Sequence, residues 1–247
     1  MNRILAYSVI ALSTVLGAGS LLLFGAFLIT GPFTIIRLDA PETQALTWNG
    51  CLSLLFFVQH SVMVRASFRA RLASVIPSHY HRATYSIASG IVLAMVVLLW
   101  QPSHTLFYRL EGPLLALVRA ASLLAIAGFI WGVHALGSFD GFGRITITVH
   151  LRGRQLRPPD FVLAGPYLWV RHPLYFFTLV LVWSAPAMTT DRLLFNVLWT
   201  SWIVLGSYLE ERDAVAEFGD AYRRYQETVP MLLPWRGPVG RGLLRTP

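Results

Sequence analysis

The sequence predicts an all-α polytopic integral membrane protein with about five to six transmembrane helices, ending in a helical hairpin and a cytoplasmic amphipathic helix. Of the 247 residues, 55% are hydrophobic and 13% charged, whereas soluble domains carry about 25% charged residues. The apolar residues form long runs, several of them near the roughly 20 residues that span a bilayer. Arginines gather in the connections between these runs.

The chain divides into six apolar segments that we predict as helices. The first exceeds the roughly 7–15 residues of a signal-peptide core, so we predict a retained transmembrane helix. The fifth is short, with Pro186 near its end. Thr189-Thr190-Asp191-Arg192 is predicted as a tight polar turn that joins the fifth and sixth segments into a helical hairpin. The segments are Ile4–Thr30, Trp48–Val64, Thr84–Trp100, Leu114–Leu136, Leu174–Met188 and Leu193–Leu209.

Charge predicts the orientation. The net charge is +8, and the chain has no lysine. Because cytoplasmic loops are rich in basic residues, both termini and the two arginine-rich loops are predicted to face the cytoplasm, as in a bacterial cytoplasmic membrane. This distribution indicates membrane lipids rather than nucleic acid as partners. The arginines concerned are Arg65, Arg69, Arg71 and Arg82 after the second segment, and Arg144, Arg152, Arg154, Arg157 and Arg171 after the fourth.

The single cysteine, Cys51, excludes an internal disulfide and a cysteine-rich metal site. We predict that Cys51 is a buried packing residue within its apolar run. No spacing of His, Cys and carboxylate residues indicates a metal site. The basic run Leu151–Arg157 fits anionic lipid headgroups. The phosphate of a cofactor is the alternative for this run.

Three polar residues at or near apolar segments have two interpretations each. His60 lies in Gln59-His60-Ser61, where it either bonds a neighbouring helix or contacts a substrate, because ionisable groups in a membrane usually face the protein interior or a cavity. His134, near the end of the fourth segment, is the more structural of the two histidines. Asp140 either caps a short helix or lines a site.

The stretch Gly165–Pro173, Gly-Pro-Tyr-Leu-Trp-Val-Arg-His-Pro, is a proline-bracketed loop before the fifth segment. Pro173 disfavours helical angles at His172 and suits the first turn of a helix. Free backbone N–H groups at such an entrance can bind a carboxylate, and Arg171 can add a bidentate contact. The alternative is an arginine anchor before a helix that begins at proline.

The sixth segment runs directly into Glu210-Glu211-Arg212-Asp213. Acidic residues at a helix C-terminus oppose the helix dipole, which favours continuation of the helix past the membrane. Glu210 and Glu211 then point about 100° apart, so at most one aims fully at a site. Tyr222 and Tyr225 share a helix face. Val229–Trp235 is predicted to end that helix as an interfacial anchor.

These motifs carry a family resemblance. The pattern G-P-Y-x-x-V-R-H-P-x-Y, a hairpin, then E-E-R with F-G-x-x-Y-x-x-Y and V-P, resembles the membrane methyltransferases related to isoprenylcysteine carboxyl methyltransferase. Gln59–Met63, the Phe139–Gly143 stretch and W-S-A-P-A-M-T-T-D-R-L-L-F resemble the methanethiol S-methyltransferase group. That group shares ancestry with a family named for nitric-oxide-reductase-associated membrane proteins.

The resemblance implies S-adenosylmethionine as cofactor, bound between the Arg-His-Pro loop and the glutamates of the last helix. The implied cofactor-binding residues are Tyr167, Val170, Arg171, His172, Pro173, Tyr175, Glu210, Glu211, Tyr222 and Arg223. Leu168-Trp169 departs from the pattern, since many relatives have Arg or Lys before an aromatic residue. That leaves binding of the donor carboxylate more dependent on Arg171 and backbone amides.

Transfer of a methyl group to a small thiol, methanethiol foremost, is the implied activity. His60, Arg171 and Glu211 are the candidate catalytic residues, with His60 as general base, and His60, His134 and Asp140 the candidate substrate contacts. The alternatives are a prenylcysteine carboxylate, another lipid-like thiol or a lipid amine as acceptor, or a non-enzymatic partner of a redox complex. Residues 1–136 are predicted as N-terminal transmembrane helices, 137–236 as the methyltransferase core and 237–247 as a disordered tail.

Overall fold

The structure is a computed structural model that describes residues 2–137, 139–155 and 163–240. Parts of two predicted segments are not among these residues. Arg157 of the basic run and residues 241–247 of the tail lie outside the described residues.

The described residues form nine α-helices, which confirms the all-α prediction. Two short strands, β1 (Leu106–Arg109) and β2 (Ala187–Thr189), pair into a two-stranded sheet, and 3₁₀ turns cover Ser78–Tyr80 and Gly165–Leu168. The helices are α1 (Arg3–Thr30), α2 (Glu42–Met63), α3 (Ala66–Leu72), α4 (His81–Leu99), α5 (Gly112–Ala135), α6 (Arg144–Leu151), α7 (Pro173–Trp183), α8 (Thr190–Phe218) and α9 (Asp220–Thr228).

Among the described residues, four helices are long and apolar enough to cross a membrane: α1, α4 with its preceding turn, α5 and α8. A fifth crossing results if α2 and α3, bent by 75° at their junction, are one span. The predicted fifth segment does not form one helix to Met188, because α7 has 11 residues and ends at Trp183. At about 1.5 Å per residue, α7 is roughly 16 Å long, about half the hydrocarbon thickness.

The predicted turn at Thr189–Arg192 is wrong in its position. Strand β2 ends at Thr189 and α8 begins at Thr190, so Asp191 and Arg192 lie in the first turn of a helix. The Asp191 carboxylate accepts hydrogen bonds from Trp100 Nε1 and Ser103 N, both at 2.9 Å, and lies where the helix dipole favours negative charge. These polar residues therefore anchor the start of α8.

The described chain forms two compact units that interleave along the sequence. The first comprises residues 2–106, 140–155 and 189–195, and the second comprises residues 107–137, 139, 163–188 and 196–240. The consecutive division into 1–136, 137–236 and 237–247 does not follow these units and stays a prediction.

In the first unit, α1 packs closely against α4. A Cβ added at Gly90 of α4 would lie 2.6 Å from the backbone carbonyl oxygen of Leu16. Glycine therefore permits this approach of the two helices. Helices α1, α4 and α6 also share a core cluster, which is formed by the buried Ala6, Ala83 and Ile147.

In the second unit, α5 packs against α7, with the ring of Phe177 against Gly128. Helix α8 continues through Glu210 and Glu211, which confirms the predicted extension. The chain then breaks at Gly219, with φ of +56° and ψ of −132°, a conformation that side-chain-bearing residues rarely adopt.

Helix α9 follows this break. Tyr222 and Tyr225 are both buried on its inner face, with their rings 5.7 Å apart in an edge-on arrangement. The prediction that they share a face is confirmed. With Val229 they form a small core, which docks α9 and the residues after it within this unit.

Candidate active site

The Arg-His-Pro loop is held by backbone pairing. Arg171 N donates to Pro230 O at 2.9 Å and His172 N donates to Met231 O at 3.1 Å. These two N–H groups are therefore engaged, and binding of a carboxylate by other N–H groups at the start of α7 stays a prediction. The carbonyl oxygens of residues 229–231 hold the loop in place, and the interfacial anchor at Val229–Trp235 stays a prediction.

The side chain of Arg171 makes a bidentate ion pair with Glu211. Arg171 Nε lies 2.5 Å from Glu211 Oε1 and Nη2 lies 2.9 Å from Oε2. Arg171 Nη1 donates to the carbonyl oxygens of Gln226 and Val229. Both side chains are buried, at 9% and 8% exposed. Arg171 thus joins the loop, α8 and the end of α9.

Two further groups donate to the same carboxylate. Gln226 Nε2 donates to Glu211 Oε2 at 2.9 Å, and His172 Nε2 lies 3.2 Å from Glu211 Oε1. We call these four residues, Arg171, His172, Glu211 and Gln226, the Glu211 cluster. The structure thereby brings together the two motifs that the sequence separates by some 40 positions.

Glu210 lies in different surroundings. Its side chain is 55% exposed, and Oε1 accepts a hydrogen bond from the hydroxyl of Tyr175. Oε2 lies 3.7 Å from His172 Nδ1. The rings of His172 and Tyr175 stack with an interplanar angle of 13°. Glu210 is thus a partly solvated carboxylate beside two aromatic rings.

Tyrosines enclose the buried side of the site. Burial, followed by the charge of Glu211, raises the pKa of Tyr222 to about 12. Burial raises the pKa of Tyr167 and of Tyr225 above the ordinary value as well. Tyr225 donates its hydroxyl proton to the carbonyl oxygen of Tyr167 at 2.6 Å.

A mostly apolar cavity of about 860 Å³ begins at Arg171, Glu211 and Gln226 and extends between α7 and α8. This volume lies in the range of small-molecule sites, roughly 300–1,000 Å³. The lining also includes the polar side chains of Thr200, Tyr208, Glu227 and Arg236. The remaining lining includes Phe176, Leu179, Val180, Trp183, Val204 and Leu233.

Other predicted site residues have local structural partners. Asp140 accepts hydrogen bonds from Ile145 N and Thr146 N at 2.9 Å each, which confirms the capping interpretation. His60 contacts the Tyr85 hydroxyl through its ring nitrogens at 2.9 and 2.7 Å, the predicted bond to a neighbouring helix. Both residues belong to the first unit, and their substrate and general-base roles stay predictions.

Of the second unit's remaining candidates, Val170 and Pro173 are buried around the loop. His134 lies exposed in the last turn of α5. Arg223 is 65% exposed and lies 3.8 Å from Asp220. Neither residue belongs to the Glu211 cluster, and their predicted ligand contacts stay predictions. Cys51 is exposed, which contradicts its predicted burial.

Sequence reasoning missed Gln226. The signal was available, because Gln226 follows Tyr222 by four residues and so shares the inner face of α9. The carbonyl contacts from Val229 to Met231 had no such signal, since main-chain partners leave no trace in residue identity.

Comparison with known proteins decides the family. The chain is 36% identical over 204 residues to methanethiol S-methyltransferase 1 of Bradyrhizobium diazoefficiens, covering 81% of this chain and 71% of that protein. It is 36% identical over 209 residues to the methanethiol S-methyltransferase of a Pseudomonas strain, covering 80% and 79%. The chain belongs to the methanethiol S-methyltransferase family.

This family member also resembles the rat protein Nurim, at 27% identity over 195 residues, covering 71% of this chain and 70% of Nurim. No family model matches the chain, and no solved structure matches it. The predicted resemblance to methanethiol S-methyltransferases is confirmed, and the relatives' names indicate a methyltransferase.

Proposed function

We propose that this membrane protein is an S-adenosylmethionine-dependent methyltransferase that methylates a small thiol, methanethiol foremost. The observation that carries the proposal is the Glu211 cluster. It closes the Arg-His-Pro loop onto the glutamate pair of α8 in a chain 36% identical to named methanethiol S-methyltransferases.

The residues present fit the chemistry of this cofactor. S-adenosylmethionine, when bound, supplies a methyl group on a sulfonium sulfur, and its transfer to methanethiol yields dimethyl sulfide, S-adenosylhomocysteine and a proton. Glu210 offers a partly exposed carboxylate for an ammonium group. The stacked rings of His172 and Tyr175 lie beside it, and aromatic faces attract cations.

The sequence predicted Arg171 and backbone amides as partners of the cofactor carboxylate. Arg171 is engaged by Glu211 and by two carbonyl oxygens, and its backbone N–H is paired. In the proposed site Arg171 therefore positions the loop and Glu211, and contact with the cofactor carboxylate is left to other donors.

The cavity between α7 and α8 is the proposed site of the methyl acceptor. Its apolar lining suits an acceptor that partitions into lipid, and the thioether product leaves by the same route. A thiol has a pKa of about 8.5 in water, so nearby positive charge favours the thiolate. We place the site and both termini on the cytoplasmic side, because the arginine-rich loops lie on the same side as the Glu211 cluster in the predicted topology.

The test uses the purified full chain and whole cells. We expect the wild-type protein to bind S-adenosylmethionine measurably by calorimetry at micromolar to millimolar concentrations. Cells that express it and receive methanethiol should release dimethyl sulfide into the headspace, and cells that express His172→Ala should release much less. Glu217→Gln, an exposed acid on α8, serves as the matched control and should behave like the wild type.

Two outcomes contradict the proposal in different ways. No binding of S-adenosylmethionine at millimolar concentration would remove the enzyme function and leave the non-enzymatic partner. Binding without dimethyl sulfide, but with methylation of a prenylcysteine or a longer thiol, would replace the acceptor and keep the cofactor.

A further inference from the structure

The neighbouring glutamates of α8 differ in burial and in the donors around them. We infer that Glu210 binds the ammonium group of the methyl donor, whereas Glu211 is a structural acceptor that Gln226 helps to position. This inference rests on the proposed function, and it divides two residues that the motif presents as a pair.

Four donor groups of the protein face the Glu211 carboxylate. A carboxylate has about four lone-pair positions, two on each oxygen. Arg171 Nε and His172 Nε2 face Oε1 at 2.5 and 3.2 Å. Arg171 Nη2 and Gln226 Nε2 face Oε2, both at 2.9 Å. The four positions are filled by the protein itself.

The ion pair between Glu211 and Arg171 is buried. The Glu211 and Arg171 side chains are 8% and 9% exposed. A ligand ammonium could reach Glu211 only by displacing one of these donors, which would leave a buried charged or polar group without its partner. Removing a partner from a buried ion pair is strongly unfavourable. Glu211 is thus poorly suited to exchange partners when a ligand arrives.

Glu210 differs from Glu211 in its exposure to solvent. Its side chain is 55% exposed; Oε1 accepts from the Tyr175 hydroxyl and Oε2 lies 3.7 Å from His172 Nδ1. Consecutive helical residues point about 100° apart. Glu210 therefore faces the ring stack of His172 and Tyr175, where an ammonium can reach a carboxylate and aromatic faces together.

Gln226 and Tyr175 follow as positioning residues. Gln226 anchors Glu211 through its side-chain amide and receives Arg171 Nη1 through its carbonyl oxygen, so it fixes α9 to the ion pair. Tyr175 holds one oxygen of Glu210. Tyr175→Phe keeps the ring that stacks on His172 and removes only the hydroxyl.

The test compares ligands with and without the amino-acid tail. S-adenosylhomocysteine carries the ammonium and no sulfonium, and 5′-methylthioadenosine carries neither. We expect Glu210→Gln to weaken binding of S-adenosylhomocysteine about tenfold, in line with loss of one hydrogen bond to a charged group. Binding of 5′-methylthioadenosine should stay within twofold, and Tyr175→Phe should show a smaller loss with the same ligand preference.

Thermal unfolding in detergent separates the role of Glu211. We expect Glu211→Gln to lower Tm clearly, Gln226→Ala to lower it less, and Glu210→Gln to leave it unchanged. Glu217→Gln is the control for loss of one negative charge from α8. Where Glu211→Gln is not recovered from the membrane, the milder Gln226→Ala still reports on the same carboxylate.

The possible failures are distinguishable. If the wild type binds neither S-adenosylmethionine nor either of these two ligands, the proposed function fails and this inference fails with it. If the wild type binds S-adenosylhomocysteine and Glu210→Gln binds it equally well, the inference alone is overturned. It is also overturned if Gln226→Ala or Glu211→Gln weakens binding at an unchanged Tm, because Glu211 would then be the ligand's partner.

Discussion

Arg171 shows why the type of cation matters at this site. Its guanidinium donates in one plane to both oxygens of Glu211 and, through Nη1, to the carbonyl oxygens of Gln226 and Val229. A lysine ammonium carries the same charge but is a compact group that cannot reproduce this fork. The pairing therefore selects arginine by geometry as well as by charge.

We expect Arg171→Lys to destabilise the protein by about 1–3 kcal/mol, the range for leaving a buried acceptor unsatisfied. The measurement is thermal unfolding of the detergent-solubilised protein. Arg223→Lys is the matched control, because Arg223 is 65% exposed and surface ion pairs contribute about 0–1 kcal/mol. Equal Tm values for the two variants would contradict the structural role of Arg171.

Helix α8 is the element that positions the site. Its 29 residues extend about 43 Å, which exceeds the roughly 30 Å of hydrocarbon. We therefore expect its last turns, with Glu210 and Glu211, to project beyond the apolar layer. Gly219 then redirects the chain, and α9 returns Gln226 to Glu211. The length of α8 and the break after it together build the cluster.

Close contact between α1 and α4 gives a prediction for these elements. We expect Gly90→Ala to lower Tm, because the added methyl group would lie 2.6 Å from the Leu16 carbonyl oxygen and would force the helices apart. Gly25→Ala is the control in α1, where a Cβ meets nothing within 4 Å. Alanine there should be neutral or slightly stabilising, and an equal loss in both variants would contradict the packing.

For the molecule as a whole, an even or odd number of crossings decides whether the two termini face the same side. Helix α7 spans about 16 Å. The six residues 184–189 that follow, where extended, add about 20 Å at roughly 3.3 Å each. Ser184, Ala185 and Met188 are buried, as expected of non-helical backbone at membrane depth. Helix α7 and this segment together are long enough to cross.

We therefore expect both termini on the cytoplasmic side. Cys51 is the single cysteine, so Cys51→Ser gives a background for cysteine scanning. A membrane-impermeant maleimide should label His104→Cys in intact cells. It should label Arg3→Cys, Arg154→Cys and Arg236→Cys only after the cells are permeabilised. Labelling of Arg3→Cys alone among these three in intact cells would indicate an odd number of crossings.

Much of the molecule was predictable from sequence because its signals are local. Long apolar runs predicted α1, α4, α5 and α8, since a spanning helix satisfies its own backbone within the segment. Acidic residues at the end of the last run predicted that α8 continues, and the spacing of Tyr222 and Tyr225 predicted a shared face. Motif order also predicted the family and the residues Arg171, His172, Glu210 and Glu211.

Tertiary structure decided what these residues do, because their partners come from distant parts of the chain. The sequence offered Arg171 and the loop amides as ligand-binding groups, but Glu211, Gln226 and the carbonyls of residues 229–231 already engage them. The sequence could not predict that Glu211 is buried and Glu210 exposed, since the burial of each side chain depends on which of them α9 packs against. The position of a helix and the presence of a motif are determined by residues that are close in sequence. Whether a carboxylate can still accept a hydrogen bond is determined by all the groups around it in the folded protein.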